Sequence, residues 1–186
     1  SLFIPQDISN SLNALSKWPI SIQETPYKEA ICHLTTIIPE KIAKFHAREI
    51  ANALNALSKW PISIHEPPYQ AAIQALVRTI PEQASLFIPQ GINNSLNALS
   101  KWPISVHETP YQEAIHSLMA TILKQVNTFS MRDIAGMLNA LSKWPISTHA
   151  SPYQETIQAL VRAIPQQVKL FTAQNISNSL NALAKW

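Results

Sequence analysis

Glycine is nearly missing, with 2 in 186 residues. Hairpin-rich all-β chains and glycine-loop nucleotide-binding folds need positive φ at many turns, so both are excluded. Cysteine is missing apart from Cys32, which has no internal partner. Nothing therefore requires an oxidising compartment. Charge is sparse: 13% of residues, 14 basic against 11 acidic, for a net +3. That balance falls short of a dense nucleic-acid-binding footprint. No run of apolar residues approaches the ~18 that a membrane-spanning helix needs. The hydrophobic share is nonetheless 46%, too high for a chain disordered through poor burial.

What the chain does have is repetition. Trp18, Trp60, Trp102, Trp144 and Trp186 stand 42 residues apart. Four copies follow in unbroken register: 18–59, 60–101, 102–143 and 144–185, with Trp186 closing the last stretch as 144–186. Residues 1–17 match the final part of a copy. Across the four copies 16 of 42 positions are identical, so residues 1–186 read as one tandem array rather than a domain with a linker.

Each copy reads as two helices. Thr25-Pro26, Thr109-Pro110 and Ser151-Pro152 have the form of an N-cap followed by a first-turn proline. Gln112 and Gln154 fit capping boxes with Thr109 and Ser151, while copy two has Pro67 at the cap position. The apolar series Tyr27, Ile31, Leu34, Ile38, Ile42, Phe45 keeps to one helical face and recurs as Tyr153, Ile157, Leu160, Ile164, Val168, Phe171. Pro39, Pro81 and Pro165 interrupt the stripe without shifting its phase, which predicts a kinked helix or two abutting short ones. Copy three has Leu123 there. The second helix is expected to start near Ser130 or Thr172, with Ser130 and Asp133 as a capping box, or with Pro5 and Pro89 at the first helical position. Its core stripe is Ile8, Leu12, Leu15 and equivalents, and it is expected to end at the Trp-Pro pair.

A two-helix unit of this size cannot cover its own apolar face, so copies must stack. The expected fold is all-α, a right-handed α-solenoid of HEAT/armadillo-like repeats, whose periods run about 40–47 residues.

Ser-Lys-Trp-Pro recurs at 16–19, 58–61, 100–103 and 142–145, with Ala184-Lys185-Trp186 as a degenerate fifth instance. Motif and period together resemble the SKWP-repeat family of type III secreted effectors from plant-pathogenic Ralstonia and related bacteria. The likeness covers the whole chain. It implies a HEAT/armadillo-like virulence protein delivered through a type III system into a host cell, to act in the host cytoplasm or nucleus. It implies no catalytic site. Members of that family are longer, so the chain resembles a fragment of a larger effector. A weaker likeness, in segments such as 171–185, is to octotricopeptide-type RNA-binding repeats.

On the second helix Asn10, Asn13 and Lys17 stand about 140–200° from Ile8 at ~100° per residue. They return as Asn52, Asn55, Lys59; Asn94, Asn97, Lys101; and Asn178, Asn181, Lys185. Copy three has Gly136, Asn139 and Lys143. Asparagine is a mediocre helix former, and its amide both donates and accepts. Armadillo-like proteins hold extended peptides on such ladders, so the resemblance implies a peptide or protein ligand, with the lysines favouring acidic groups. Two other readings stay open: the asparagines tie adjacent units together, or recent duplication copied them.

Positions that vary between copies are Cys32, Gln74, His116, Gln158 and Thr36, Arg78, Ala120, Arg162 on the first helix. Arg48-Glu49, Gln90-Gly91, Arg132-Asp133 and Gln174-Asn175 vary at the start of the second. They either set target choice or drift on a solvated surface. The tryptophans are expected to plug the unit junctions, each indole N–H meeting a carbonyl. His65, His107 and His149 recur one per copy, too far apart for a compact metal site. No nucleophile motif, phosphate loop or acidic pair stands out, so neither catalysis nor a cofactor is expected. The leading function is a protein- or peptide-binding scaffold. An RNA- or DNA-binding solenoid and a structural spacer are the alternatives. No membrane contact is expected, and end-to-end self-association is.

Overall fold

The computed structural model describes residues 3–18, 25–60, 66–102, 108–144, 151–167 and 172–185. The connectors with His65, His107 and His149, and also Val168, Phe171 and Trp186, lie outside the described residues. Among the described residues every regular element is helical: α1 (Pro5–Leu15), α2 (Thr25–Lys41), α3 (Ala47–Leu57), α4 (Pro67–Gln83), α5 (Pro89–Leu99), α6 (Thr109–Gln125), α7 (Met131–Leu141), α8 (Tyr153–Gln167) and α9 (Ala173–Leu183).

Helices pack in two layers. The second helices of successive copies stack on one another, α1 on α3, α3 on α5, α5 on α7 and α7 on α9. The first helices do the same, α2 on α4, α4 on α6 and α6 on α8. The all-α solenoid expected from the repeat is therefore present.

The apolar stripes explain the layering. Ile8, Leu12, Ile50, Leu54, Ile92, Leu96, Ile134 and Leu138 are all 0% exposed and fill the space beneath the second helices. Ile73, Leu76, Val77 and Ile80 of α4 and Ile115, Leu118, Met119 and Ile122 of α6 face them. Burying each such side chain is worth about 1.5–3 kcal/mol. Phe45, Phe87 and Phe129 close each first helix into the core, each following a single 3₁₀ turn (Ile42–Lys44, Ala84–Leu86, Val126–Thr128).

Several local expectations change. Pro39, Pro81 and Pro165 lie inside single α-helices, so of the two expected forms the abutting pair of short helices is absent. The 3₁₀ turn that follows appears equally after α6, which has Leu123, so proline does not cause it. Thr109 is no N-cap: Glu108 holds the extended cap backbone, Gln112 N donates to the Glu108 carbonyl, and the expected box with Gln112 is absent. Glu66 takes the same place before Pro67, so copy two follows the rule it seemed to break. Ser151 Oγ donates to Glu155 Oε1 at 2.9 Å, one residue beyond the Gln154 expected. The second-helix caps form as expected at Ser130, where Ser130 N donates to Asp133 Oδ2 and Asp133 N to Ser130 Oγ, and at Thr172. The second helices end three residues before each tryptophan, in a tightened turn where Lys17 N meets Ala14 O and Trp18 N meets Leu15 O.

Candidate functional site

The stacked second helices build the asparagine–lysine surface. The core stripe pins one side of each helix inward, which turns the opposite side out. Asn13, Asn55, Asn97 and Asn139 are half-buried and Asn181 is exposed. Asn52, Asn94 and Asn178 are half-buried and Asn10 is exposed. Lys17, Lys59, Lys101, Lys143 and Lys185 are all exposed. The variable first-helix positions, among them Cys32, Arg78 and Arg162, stand on the other layer and do not join this surface.

Serine of each Ser-Lys-Trp-Pro motif fixes the ladder backbone. Ser16, Ser58, Ser100 and Ser142 each donate Oγ–H to the carbonyl of the asparagine three residues before, at 2.9–3.0 Å. A carbonyl in the last helical turn has no intrahelical donor, so the hydroxyl satisfies it. Ala184 cannot do this for Asn181.

The lysines act on one another. Lys59 sits below its ordinary pKa, first because the surrounding protein partly desolvates it, then because Lys17 and Lys101 lie on either side. Lys143 is lowered in the same way, with Lys101 and Lys185 as its neighbours. The five ammonium groups thus form one continuous row, and among the described residues none of them has a carboxylate partner. Lys143 Nζ donates to Asn97 Oδ1 at 3.1 Å, so at that junction the ladder also joins one copy to the next. Lys59 Nζ reaches Ser16 Oγ at 3.5 Å, the outer edge of a hydrogen bond.

The ladder breaks at Gly136. An added Cβ there would lie 2.4–2.8 Å from the Asn93 amide, so that side chain already occupies the space. Sequence reasoning singled out Gly136 and overlooked Asn93. The signal was available: the positions equivalent to 93 are Ser9, Ala51, Ala135 and Ser177, all small, and asparagine replaces them only in the copy before the glycine. Beside this pair lies a cavity of about 550 Å³. Among the described residues it is lined by Asn93, Arg132, Gly136, Gln174, Asn175 and Asn178, with Ala135 and Thr172. Arg132 and Gln174, read from sequence as variable neighbours of the ladder, thus come together with it.

The tryptophans sit at the junctions in graded burial: Trp18 61% exposed, Trp60 and Trp102 half-buried, Trp144 8% exposed. The expected indole–carbonyl bond changes at Trp102, whose partner is the Tyr69 hydroxyl. Tyr69 in turn donates to the carbonyl of Leu57 at the end of α3, which also accepts from Trp60 N. Trp144 meets Tyr153 edge-on, with ring centroids 6.1 Å apart. Among the described residues no three His, Cys, Asp or Glu side chains gather as a metal-holding group. No helix there is long and apolar enough to cross a membrane.

The fold and this surface define the chain as an α-solenoid of two-helix repeats with a polar, cationic ladder along its second helices. No model of a known protein family matches the chain, and no curated protein matches its sequence significantly.

Proposed function

We propose that the ladder surface binds an extended, acidic peptide segment of a partner protein, without catalysis. The observation that carries this reading is the row of five lysines with no carboxylate partner among the described residues, running beside half-buried amides. Neighbouring helices sit about 8–10 Å apart, so five rungs span roughly 32–40 Å. An extended peptide rises ~3.3 Å per residue, so the row matches about 10–12 residues. An asparagine amide donates to and accepts from a peptide main chain, while ammonium groups select carboxylates. Non-catalytic action is supported by the dispersal of the recurring polar groups, one set per copy, where enzymes need convergence on one locus. Delivery into a host cell as part of a type III effector rests on the Ser-Lys-Trp-Pro resemblance.

Nucleic acid is less well served. Single strands bound without sequence preference need aromatic platforms beside the cations. Of the tryptophans that follow the ladder lysines, Trp144 is buried in its junction and Trp60 and Trp102 are half-buried, so among the described residues Trp18 alone stands open as a platform.

The test is fluorescence anisotropy with a labelled 12-residue alternating Glu/Ser peptide, its Lys/Ser counterpart, and a single-stranded RNA. The acidic peptide is expected to bind, and Asn55→Ala/Asn97→Ala/Asn139→Ala to weaken it at least tenfold while the melting temperature stays within a few degrees. A large fall in melting temperature would assign the asparagines to holding the array together. Tighter RNA binding with a steep salt dependence would move the reading to nucleic acid, and binding to none of the three would leave the spacer reading.

A further inference from the structure

The one irregular junction in the ladder carries a site of its own. At three junctions a small residue on one second helix accompanies an asparagine on the next: Ser9 with Asn52, Ala51 with Asn94, Ala135 with Asn178. At the fourth the sizes are exchanged, and Asn93 accompanies Gly136. The exchange takes the amide from α7 and supplies one from α5, whose side chain lies against the α7 backbone. Beside this exchanged pair lies the 550 Å³ cavity, lined by Asn93 of α5, by Arg132, Ala135 and Gly136 of α7, and by residues at the start of α9.

Its lining is rich in donors. Arg132 brings a guanidinium with five N–H groups, and Asn93, Gln174, Asn175 and Asn178 bring side-chain amides. No carboxylate lines it among the described residues. The nearest acidic residue in sequence, Asp133, is held at the helix start, where its Oδ2 accepts from Ser130 N at 3.2 Å and Ser130 Oγ at 2.5 Å. Arg132 therefore keeps its charge for a visitor. A guanidinium fork with amides around it suits a planar, two-oxygen anion. The volume falls within the range of about 300–1,000 Å³ usual for small-ligand pockets, room enough for an acidic side chain with the backbone that carries it.

We propose that the cavity beside Gly136 is a subsite for a glutamate or aspartate side chain, with Arg132 taking the charge and the Asn93 and Asn178 amides fixing its orientation. The inference deepens the peptide-binding reading and rests on it. It adds that the ligand carries an acidic residue at one fixed register, where the lysine row alone would accept acidic residues anywhere.

The test uses a probe too small to need the long surface. N-acetyl-glutamate N-methylamide is titrated into ¹⁵N-labelled protein, with its glutamine analogue and inorganic phosphate as parallel arms. Saturable shifts are expected at the Asn93 and Asn178 side-chain amides and the Arg132 Nε–H, with the glutamine analogue at least tenfold weaker. Asn93→Ala/Gly136→Asn restores the pairing of Ala51 with Asn94, an arrangement the fold already uses, and takes the Asn93 amide out of the cavity lining. It is expected to weaken the shift at the Asn178 amide at least tenfold, and Arg132→Gln to abolish the shifts at both amides, with the rest of the spectrum unchanged. Equal Asn178 shifts in wild type and the Arg132→Gln variant, or no saturation at all, would overturn the subsite. Saturation by phosphate alone would overturn its assignment to a carboxylate. Because these readings do not depend on the 12-residue peptide, failure of the subsite and failure of the peptide-binding reading are told apart.

Discussion

Three of the four residues of Ser-Lys-Trp-Pro have separate jobs in the structure. Serine satisfies an orphan carbonyl, lysine extends the cationic row, and tryptophan fills the junction. The proline lies outside the described residues. Tryptophan at a junction was legible from spacing alone, because the largest apolar side chain recurs where units meet. Its partner was not: the Tyr69 hydroxyl comes 33 residues earlier, in the preceding copy, and a tyrosine in an apolar stripe announces its ring rather than its hydroxyl. The burial gradient sets a residue-level expectation. Trp144→Ala should cost about 3–5 kcal/mol, the usual range for removing a buried aromatic. Trp18→Ala should cost less than ~1 kcal/mol, as surface changes do. Urea denaturation of the two variants checks this, and equal losses would show that burial at the junction does not decide the cost.

At the level of the helix, periodicity was the readable part. The apolar stripes placed the paired helices of each copy, because a period near 3.6 survives substitution at single positions. Caps were less readable. Thr109 looked like a cap because it precedes proline, yet proline is also accepted in the second helical position, and Glu108 takes the boundary instead. The in-helix prolines give a second expectation. Pro39, Pro81 and Pro165 lie near the ends of α2, α4 and α8, and α6 has the same length and the same 3₁₀ exit as α4 without one. Leu123→Pro should therefore cost less than ~1.5 kcal/mol, against about 3 or more for a proline at Ser117 in mid-helix. Chemical denaturation distinguishes the two. A Leu123→Pro loss matching that at Ser117 would show that α6 follows a different path from its neighbours.

For the molecule as a whole, the sequence disclosed the stacking because it repeats, and concealed the Gly136 cavity because that feature belongs to a pair of copies and to neither alone. Two ionisation effects run through the stack in opposite senses. Burial pushes the phenols up: Tyr111 to about 12, with Glu108 adding to burial, Tyr153 to about 12, and Tyr69 further still. A raised folded pKa means stability that is whole below the unfolded value near ~10 and lost as pH climbs through the folded values. Lys59 and Lys143 are depressed, so their charge disfavours the folded state, and that burden lifts as pH rises through their folded values toward 10.5. Melting temperature should hold or rise slightly up to about pH 10 and then fall by pH 12. A melting temperature still climbing at pH 12 would contradict the burial of the three phenols.

The outer copies show what stacking covers. Ile134 and Leu138 are 0% exposed, while their counterparts on α9, Ile176 and Leu180, are 45% and 61% exposed. At the other end Phe3, Leu15, Trp18 and Leu34 line an apolar cleft of about 420 Å³. The 186-residue chain should associate end to end as concentration rises, which sedimentation velocity would detect. A strict monomer at millimolar protein would count against it.

An array of near-identical modules has a hazard that a unique domain lacks, which is docking out of order, one module skipping its neighbour and seating on the next. Most junctions here would tolerate the slip, since a small residue always meets an asparagine. Asn93 would not: set against any second helix but α7, it would face another asparagine where only the bare backbone of Gly136 leaves room. The exchanged pair thus fits one order of the modules and disfavours the others.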